Sequence, residues 1–589
     1  MQFHIEGKIM QKPTHFVRKK IVQTLITSGA LLGSASVFAL EETPNAAAKT
    51  ETELAQTTAT AEEIEQAEKV KARLAEIAAE AKATAKAADI AKNGYYVERK
   101  SYGTQKETEP PRYVKQANKT WLKEYEAFED LSWLDLGLEY RARFEHRDND
   151  FRRNTETIDE PILVRTRAYV GIKDILDPLR LAIELQDSRR NHSDYTREYD
   201  TRDIDQADVI QGYAELYFKE TSFGQDDLGN NRPFSVKAGR LAWESLDRRL
   251  IARNEWRNTT NSFQGVRAIL GEKRNDWQLE AFAVKPVQRF TTKLDEVDHA
   301  QDFYGVIGDW RGWSEYVTLQ PYYFLLKQDG DKVKYNPDGK EYSDRAFFTA
   351  AEQNQAKIDR TIHTAGLRAY AAFNSGWDYD ASYVKQWGNQ DRFLSNAAGK
   401  INVDHDAHAY NAEVGYTFKT AWKPRVSASY GVATGDDRTA VAANDRSNNQ
   451  RFDRLFGFAR PWSNNDYIQM ENIRTPKLHL EFDPKVAFLE NVKVDTSFSW
   501  YRLDSATDRW NAGANLQDRT GKSGSDLGKE IDLRVRFPLN QYASLNIGYA
   551  HFWAGDFVKD AAKITSNKND PNRADSSNFF YTELTLLGF

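Results

Sequence analysis

The chain has 589 residues, with 81 Lys and Arg against 87 Asp and Glu, and a net charge of -6. It holds no cysteine and three methionines, yet 14 Trp, 28 Tyr and 31 Phe. These counts exclude a disulfide framework and a thiolate metal site, and the charge has the wrong sign for a nucleic-acid binder. Many aromatics on a chain of low mean hydropathy leave two classes open. One is a polar secreted enzyme or lectin. The other is a β-barrel, where apolar and polar residues alternate and window averages cancel.

Arg18, Lys19 and Lys20 precede an apolar stretch from Ile21 to Phe38, and Val37-Phe38-Ala39 fits a small-residue cleavage site. That layout predicts a secretory signal peptide over 1–39, translated from Met1 or Met10. The competing N-terminal anchor is disfavoured by the Gln, Thr and Ser inside the stretch. No later run approaches ~18 uninterrupted apolar residues, so helices would not place this chain in a membrane. Residues 40–59 lack periodicity and are expected to be disordered. Residues 60–92 are strong helix formers with a thin seam of Ile64, Val70, Leu74, Ile77 and Ile90. Such a helix is either a short coiled coil, giving self-association, or a solvated periplasmic spacer. Residues 93–130, with Pro110-Pro111 and mixed charges, are expected to be a linker.

From 131 to 589 the period is 2. Leu134, Leu136, Leu138, Tyr140, Ala142 and Phe144 alternate with Asp135, Gly137, Glu139, Arg141, Arg143 and Glu145. A strand sends successive side chains to opposite faces, so one face is apolar and the other mostly charged. Ile531, Leu533, Val535 and Phe537 oppose Glu530, Asp532, Arg534 and Arg536 in the same way. About eighteen such segments can be drawn, centred from residue 140 to residue 584. Links after even segments are mostly short, as in DILDP (174–178) and PLNQ (538–541), with 220–232 the exception. Links after odd segments, 434–468 among them, are longer and polar. Short periplasmic turns and long external loops belong to a transmembrane antiparallel β-barrel in the outer membrane of a Gram-negative bacterium. The chain ends on Phe589, an aromatic residue of the kind that the outer-membrane barrel assembly machinery reads. The all-β fold class follows, with outer-membrane lipid and lipopolysaccharide around it and water within.

Inward parity collects Arg141, Arg143, Arg165, Arg167, Arg180, Arg267, Arg368, Arg425, Arg534 and Arg536. It also collects carboxylates, including Glu139, Glu184, Glu280, Asp380, Glu413, Asp495 and Glu583. Arginine forks suit carboxylate partners, which points to anionic solutes such as sugar acids. The plain alternative is that these charges pair with each other and stiffen the wall. The loop 243–261 carries Arg248, Arg249, Arg253 and Arg257 with Trp256. It is a candidate constriction; as an external loop it would bind lipopolysaccharide phosphates. His405 and His408, with Asp404 and Asp406, fit no standard zinc motif, and no cofactor is expected.

Several stretches resemble the alginate export family of outer-membrane porins. They are LSWLDLGLEYRARFEHRDNDFRR (131–153), GRLAWESLDRRLIARNEWRNTTNSFQGVR (239–267), AYNAEVGYTF (409–418), FDRLFGF (452–458) and HFWAGDFVKD (551–560). The resemblance implies an 18-stranded barrel passing an anionic polysaccharide or smaller organic anions passively. It also implies that Arg141, Arg165, Arg248, Arg253 and Arg267 belong to the anion path. The expectation is therefore a porin without catalysis. A barrel-anchored structural or adhesive protein and an outer-membrane barrel hydrolase are the alternatives.

Overall fold

In a computed structural model the alternating segments pair into one closed antiparallel barrel of eighteen strands. The structure describes Arg73 and residues 107–589, apart from 153–157, 195–199, 313, 315, 394–398, 438–446, 487–488, 490, 513–514 and 565–574. The expected signal peptide and the 40–59 segment lie outside the described residues. Of the expected helix at 60–92 Arg73 alone is described, and it is helical.

The first six strands are β1 (Leu134–Asp148), β2 (Ile162–Ile172), β3 (Leu179–Asn191), β4 (Asp205–Phe218), β5 (Phe234–Leu241) and β6 (Phe263–Leu270). Next come β7 (Trp277–Gln288), β8 (Gln301–Trp310), β9 (Thr318–Gln328), β10 (Arg360–Ala372), β11 (Trp377–Phe393) and β12 (Lys400–Thr417). The last six are β13 (Arg425–Ala433), β14 (Ile473–Phe482), β15 (Lys493–Arg502), β16 (Asp526–Asn540), β17 (Ala543–Ala554) and β18 (Ser576–Leu587). Each strand pairs with the next, and β18 returns to β1 with Leu586 opposite Tyr140 and Asn578 opposite Asp148. Every centre expected from the period-2 pattern falls within one of these strands. Closure leaves no unpaired sheet edge, which hydrocarbon would not tolerate.

Burial is inverted relative to a protein folded in water. Leu138, Tyr140, Val170, Leu367, Val414, Leu478 and Leu533 point outward and are exposed. Arg141, Arg143, Arg165 and Arg167 point inward and are each no more than 4% exposed. Exposed rings gather at the two ends of this apolar belt. Phe218, Trp310, Trp377 and Trp422 mark the short-turn end; Tyr304, Trp387, Trp500 and Trp553 lie toward the long loops. Such girdles sit at lipid headgroup level.

Two long loops leave the rim and enter the lumen. The β5–β6 loop (242–262) and the β13–β14 loop (434–472) join as a short ribbon. Phe456 N–H donates to Leu250 O at 3.0 Å, Ala252 N–H to Phe456 O at 3.2 Å, and Phe458 N–H to Arg248 O at 3.0 Å. The second loop thus departs from the expectation that 434–468 is a polar external link. The physical reason is lumen width. Eighteen strands enclose more space than wall side chains can fill, and the loops supply the filler. Trp243, Leu250, Ile251, Phe452 and Trp462 share one buried cluster with Phe282, Phe303, Phe324, Ile362 and Val384 of β7–β11. The inward face of those strands is polar near the short turns, at Glu280, Gln320, Arg368 and Asp380, and apolar where the loops dock.

The segment expected to be a linker carries structure from residue 107 onward. Val114–Gln116 forms a short strand on β1, with Val114 opposite Gly137. Tyr113 covers Gly137, where an added Cβ would lie 2.7 Å from its ring. Tyr113 is 3% exposed and donates its hydroxyl proton to Glu184 at 2.7 Å. At the short-turn rim, Trp121 stacks on Phe589 at 6.3 Å and donates Nε1–H to Gly588 O at 2.9 Å.

Candidate functional site: the lumen around two inward loops

Four wall arginines grip the β5–β6 loop. Arg141 donates to the carbonyls of Glu255 and Arg257, both at 2.8 Å, and Arg143 to that of Trp256 at 2.6 Å. Arg165 pairs with Glu139 at 2.8 Å and with Glu255 at 3.4 Å; Arg167 pairs with Glu255 at 2.6 Å. From the loop side, Arg253 pairs with Glu255 at 2.6 Å and with the wall carboxylate Glu184. The Trp256 ring lies between two guanidiniums, 3.9 Å from Arg143 and 3.4 Å from Arg460, each a cation–π contact. β1 and β2 place these arginines at mid-height because inward residues recur every second position. Their charge is committed to holding the loop.

The remaining wall arginines face wall carboxylates. Arg368 reaches Asp380 at 2.9 Å, Arg425 reaches Asp378 at 2.6 Å and Glu413 at 2.8 Å, and Asp495 receives Arg534 at 3.0 Å and Arg536 at 2.9 Å. Arg180 pairs with Asp174 at 3.1 Å at the short-turn rim. Arg267 lies between Glu280 at 3.0 Å and Glu109 at 2.7 Å. On the loop, Arg249 pairs with Asp247, and Arg248 lies 5.8 Å from the Phe458 ring. The ten wall arginines therefore form a belt of pairs.

Two loop guanidiniums differ from those of the wall. Among the described residues, no carboxylate stands within ion-pair distance of Arg257 or Arg454. Burial, together with the guanidiniums of Arg202, Arg289 and Arg454, pushes Arg257 down to about 9. Burial also pushes Arg454 down, against the opposing pull of Glu471 and Asp453 and with Arg202 and Arg509 adding to the shift. A guanidinium holds its proton far above neutral pH, so this push marks a positive potential that an anion would relieve. A cavity of about 410 Å³ opens beside the ribbon and reaches the short-turn end. Arg112, Arg141, Arg248, Lys493, Arg534 and Arg536 line it, against Glu244, Glu255 and Glu583. Trp256 and Phe458 of the two loops also border it.

Arg202, Arg289, Arg454 and Glu109 are absent from the residues singled out in the sequence. A signal for Arg454 was available. Phe452, Leu455, Phe456 and Phe458 surround it, too apolar a set for a loop bathed in water. No sequence spacing announces a further cluster at the long-loop end of β4. There Asp205, Asp208 and Asp295 bring one carboxylate oxygen each within 4.8 Å of the others, with Arg240 on Asp208 at 3.1 Å. His405 and His408 do not converge. His405 faces inward and is 2% exposed, whereas His408 stacks against the exposed Tyr383.

Alginate export is the family whose model matches the sequence, over residues 132–570. No curated protein sequence matches the chain. Among solved structures, OccAB1 of Acinetobacter baumannii is similar at TM-score 0.47 and 10% identity, over 77% of this chain and 97% of that one. OpdQ of Pseudomonas aeruginosa is similar at TM-score 0.45 and 13% identity, over 77% and 98%. OccK3 (OpdO) of the same organism is similar at TM-score 0.44 and 14% identity, over 78% and 96%. With its closed barrel, lipid-facing belt and two inward loops, the chain is an outer-membrane porin that belongs to the alginate export family.

Proposed function

We propose that the protein passes anionic carbohydrates or organic acids across the outer membrane by passive diffusion, with the solute carboxylate meeting Arg257 and Arg454 where the two loops join. One observation carries this reading. Arg257 has the guanidiniums of Arg202, Arg289 and Arg454 around it, and neither Arg257 nor Arg454 has a carboxylate within ion-pair distance among the described residues. A solute carboxylate entering there trades its hydration for charge-assisted hydrogen bonds. It leaves again because a single contact is weak, and conduction needs binding of that kind. No step requires a nucleophile or a bound group.

The test is current block. Glucuronate or an oligouronate added to a planar bilayer holding the purified protein should interrupt the chloride current transiently. The R257Q/R454Q double variant should show interruptions shortened by about tenfold, the effect of removing roughly one charge-assisted hydrogen bond. Interruptions of equal length in the variant would remove these two residues from the path.

A further inference from the structure

The lumen contains one ion-pair group of a different construction. Arg368, Arg425 and Arg534 find their carboxylates on strands of the wall. Those partners are fixed by the barrel ladder and cannot leave. Arg267 of β6 and Lys237 of β5 share a carboxylate that is not on the wall. Lys237 Nζ lies 2.6 Å from Glu109 Oε2, and Arg267 donates to Glu109 Oε1 at 2.7 Å and Oε2 at 2.8 Å. Glu109 belongs to the N-terminal strap. That strap is anchored at buried Pro111, Tyr113 and Ala117, while Thr108, Glu109 and Pro110 are exposed to lumen water.

The two cations are built into the wall independently of the strap. Arg267 is held by Glu280 at 3.0 Å and lies 5.0 Å from the Trp243 ring. Lys237 lies 4.9 Å from the Tyr213 ring. Register places Lys237 directly opposite Arg267 on neighbouring strands. Two like charges in that position repel, and Glu280 neutralises one of them. Register also places Glu215 of β4 opposite Lys237, so each cation has a wall carboxylate beside it, and Glu109 adds a third on which a planar fork and an ammonium converge.

We propose that Arg267 and Lys237 form a carboxylate-binding seat for the transported solute, and that Glu109 occupies this seat in cis, so that the strap and the solute compete for it. The seat lies toward the short-turn end of β5 and β6, where a solute on that side of the membrane enters. This rests on the anionic reading above, and it adds a second binding point and a built-in competitor. A carboxylate solute displaces Glu109 by matching its hydrogen bonds. An uncharged sugar of the same size does not.

The experiment compares full-length wild type with E109Q, E109D and E109Q/K237Q in planar bilayers, with glucuronate added on the short-turn side. E109Q keeps the size of the strap side chain but vacates the seat. The glucuronate concentration that halves the chloride current should fall by about tenfold, the effect of roughly one additional charge-assisted hydrogen bond to the solute. E109D should stay near wild type. E109Q/K237Q should return toward wild type because half of the seat is gone. An unchanged half-blocking concentration in E109Q, with wild type still passing chloride over potassium, overturns the seat and leaves the anion channel standing. A wild type that prefers potassium overturns the channel reading, and the difference between E109Q and wild type then still reports on the seat alone. Unfolding temperatures in detergent check that each variant remains a folded barrel.

Discussion

At the scale of single residues, Glu255 is where wall and loop meet most tightly. Its carboxylate reaches Arg167 at 2.6 Å, Arg253 at 2.6 Å and Arg165 at 3.4 Å. Removing one partner of a buried pair leaves charge uncompensated, at a cost of about 3 kcal/mol. E255Q should therefore unfold at a lower temperature in detergent, and its chloride-to-potassium permeability ratio should rise because the lumen becomes more positive by one charge. E255D keeps the charge and should leave the permeability ratio unchanged. An E255Q protein matching wild type in both would show that the loop is held by its carbonyls alone. The sequence exposes the inward arginines through parity, because parity is local. It hides their partners. Arg141 bonds to a carbonyl at position 255 and Arg267 to the carboxylate of Glu109, and chain separation of that size carries no period. Arg257 stands out in composition, but its lack of a carboxylate partner among the described residues is a property of packing.

At the scale of elements, the ribbon joins the two loops inside the lumen. Gly457 is its closest approach, since a Cβ there would lie 1.8 Å from the Arg249 carbonyl oxygen. G457A must push the loops apart while leaving the barrel ladder untouched. The single-channel conductance should rise severalfold, in the way pore diameter governs passage, with unchanged β-content by circular dichroism. Equal conductance would mean that the constriction lies elsewhere. The strands are legible because two faces in two solvents impose strict alternation. The loops are less so. A long link after an odd strand signals the outer side, but nothing in its length tells whether it stays there. The apolar run Phe452, Leu455, Phe456 and Phe458 carries that information, and it outweighs the polar flanks. The strap escapes for a related reason. Pro110-Pro111 and mixed charge mark a break in regular structure without telling what the broken segment touches.

At the scale of the whole molecule, water lies inside and lipid outside. Leu367, midway along β10, is exposed on the outer face, 45% by relative area. L367R should destabilise refolding into lipid vesicles by ~2–4 kcal/mol, the cost of an arginine near the bilayer midplane. T585S, on the inward face of β18, should change the same equilibrium by less than ~1 kcal/mol. Equal effects would place the two faces in one solvent. The central claim is that the enclosed water favours anions, and its most direct measurement is the zero-current potential across a bilayer holding the purified protein between unequal KCl solutions. The expected potential has the sign set by chloride and is reduced in R257Q/R454Q. A potential of the sign set by potassium, or none at all, would contradict the claim.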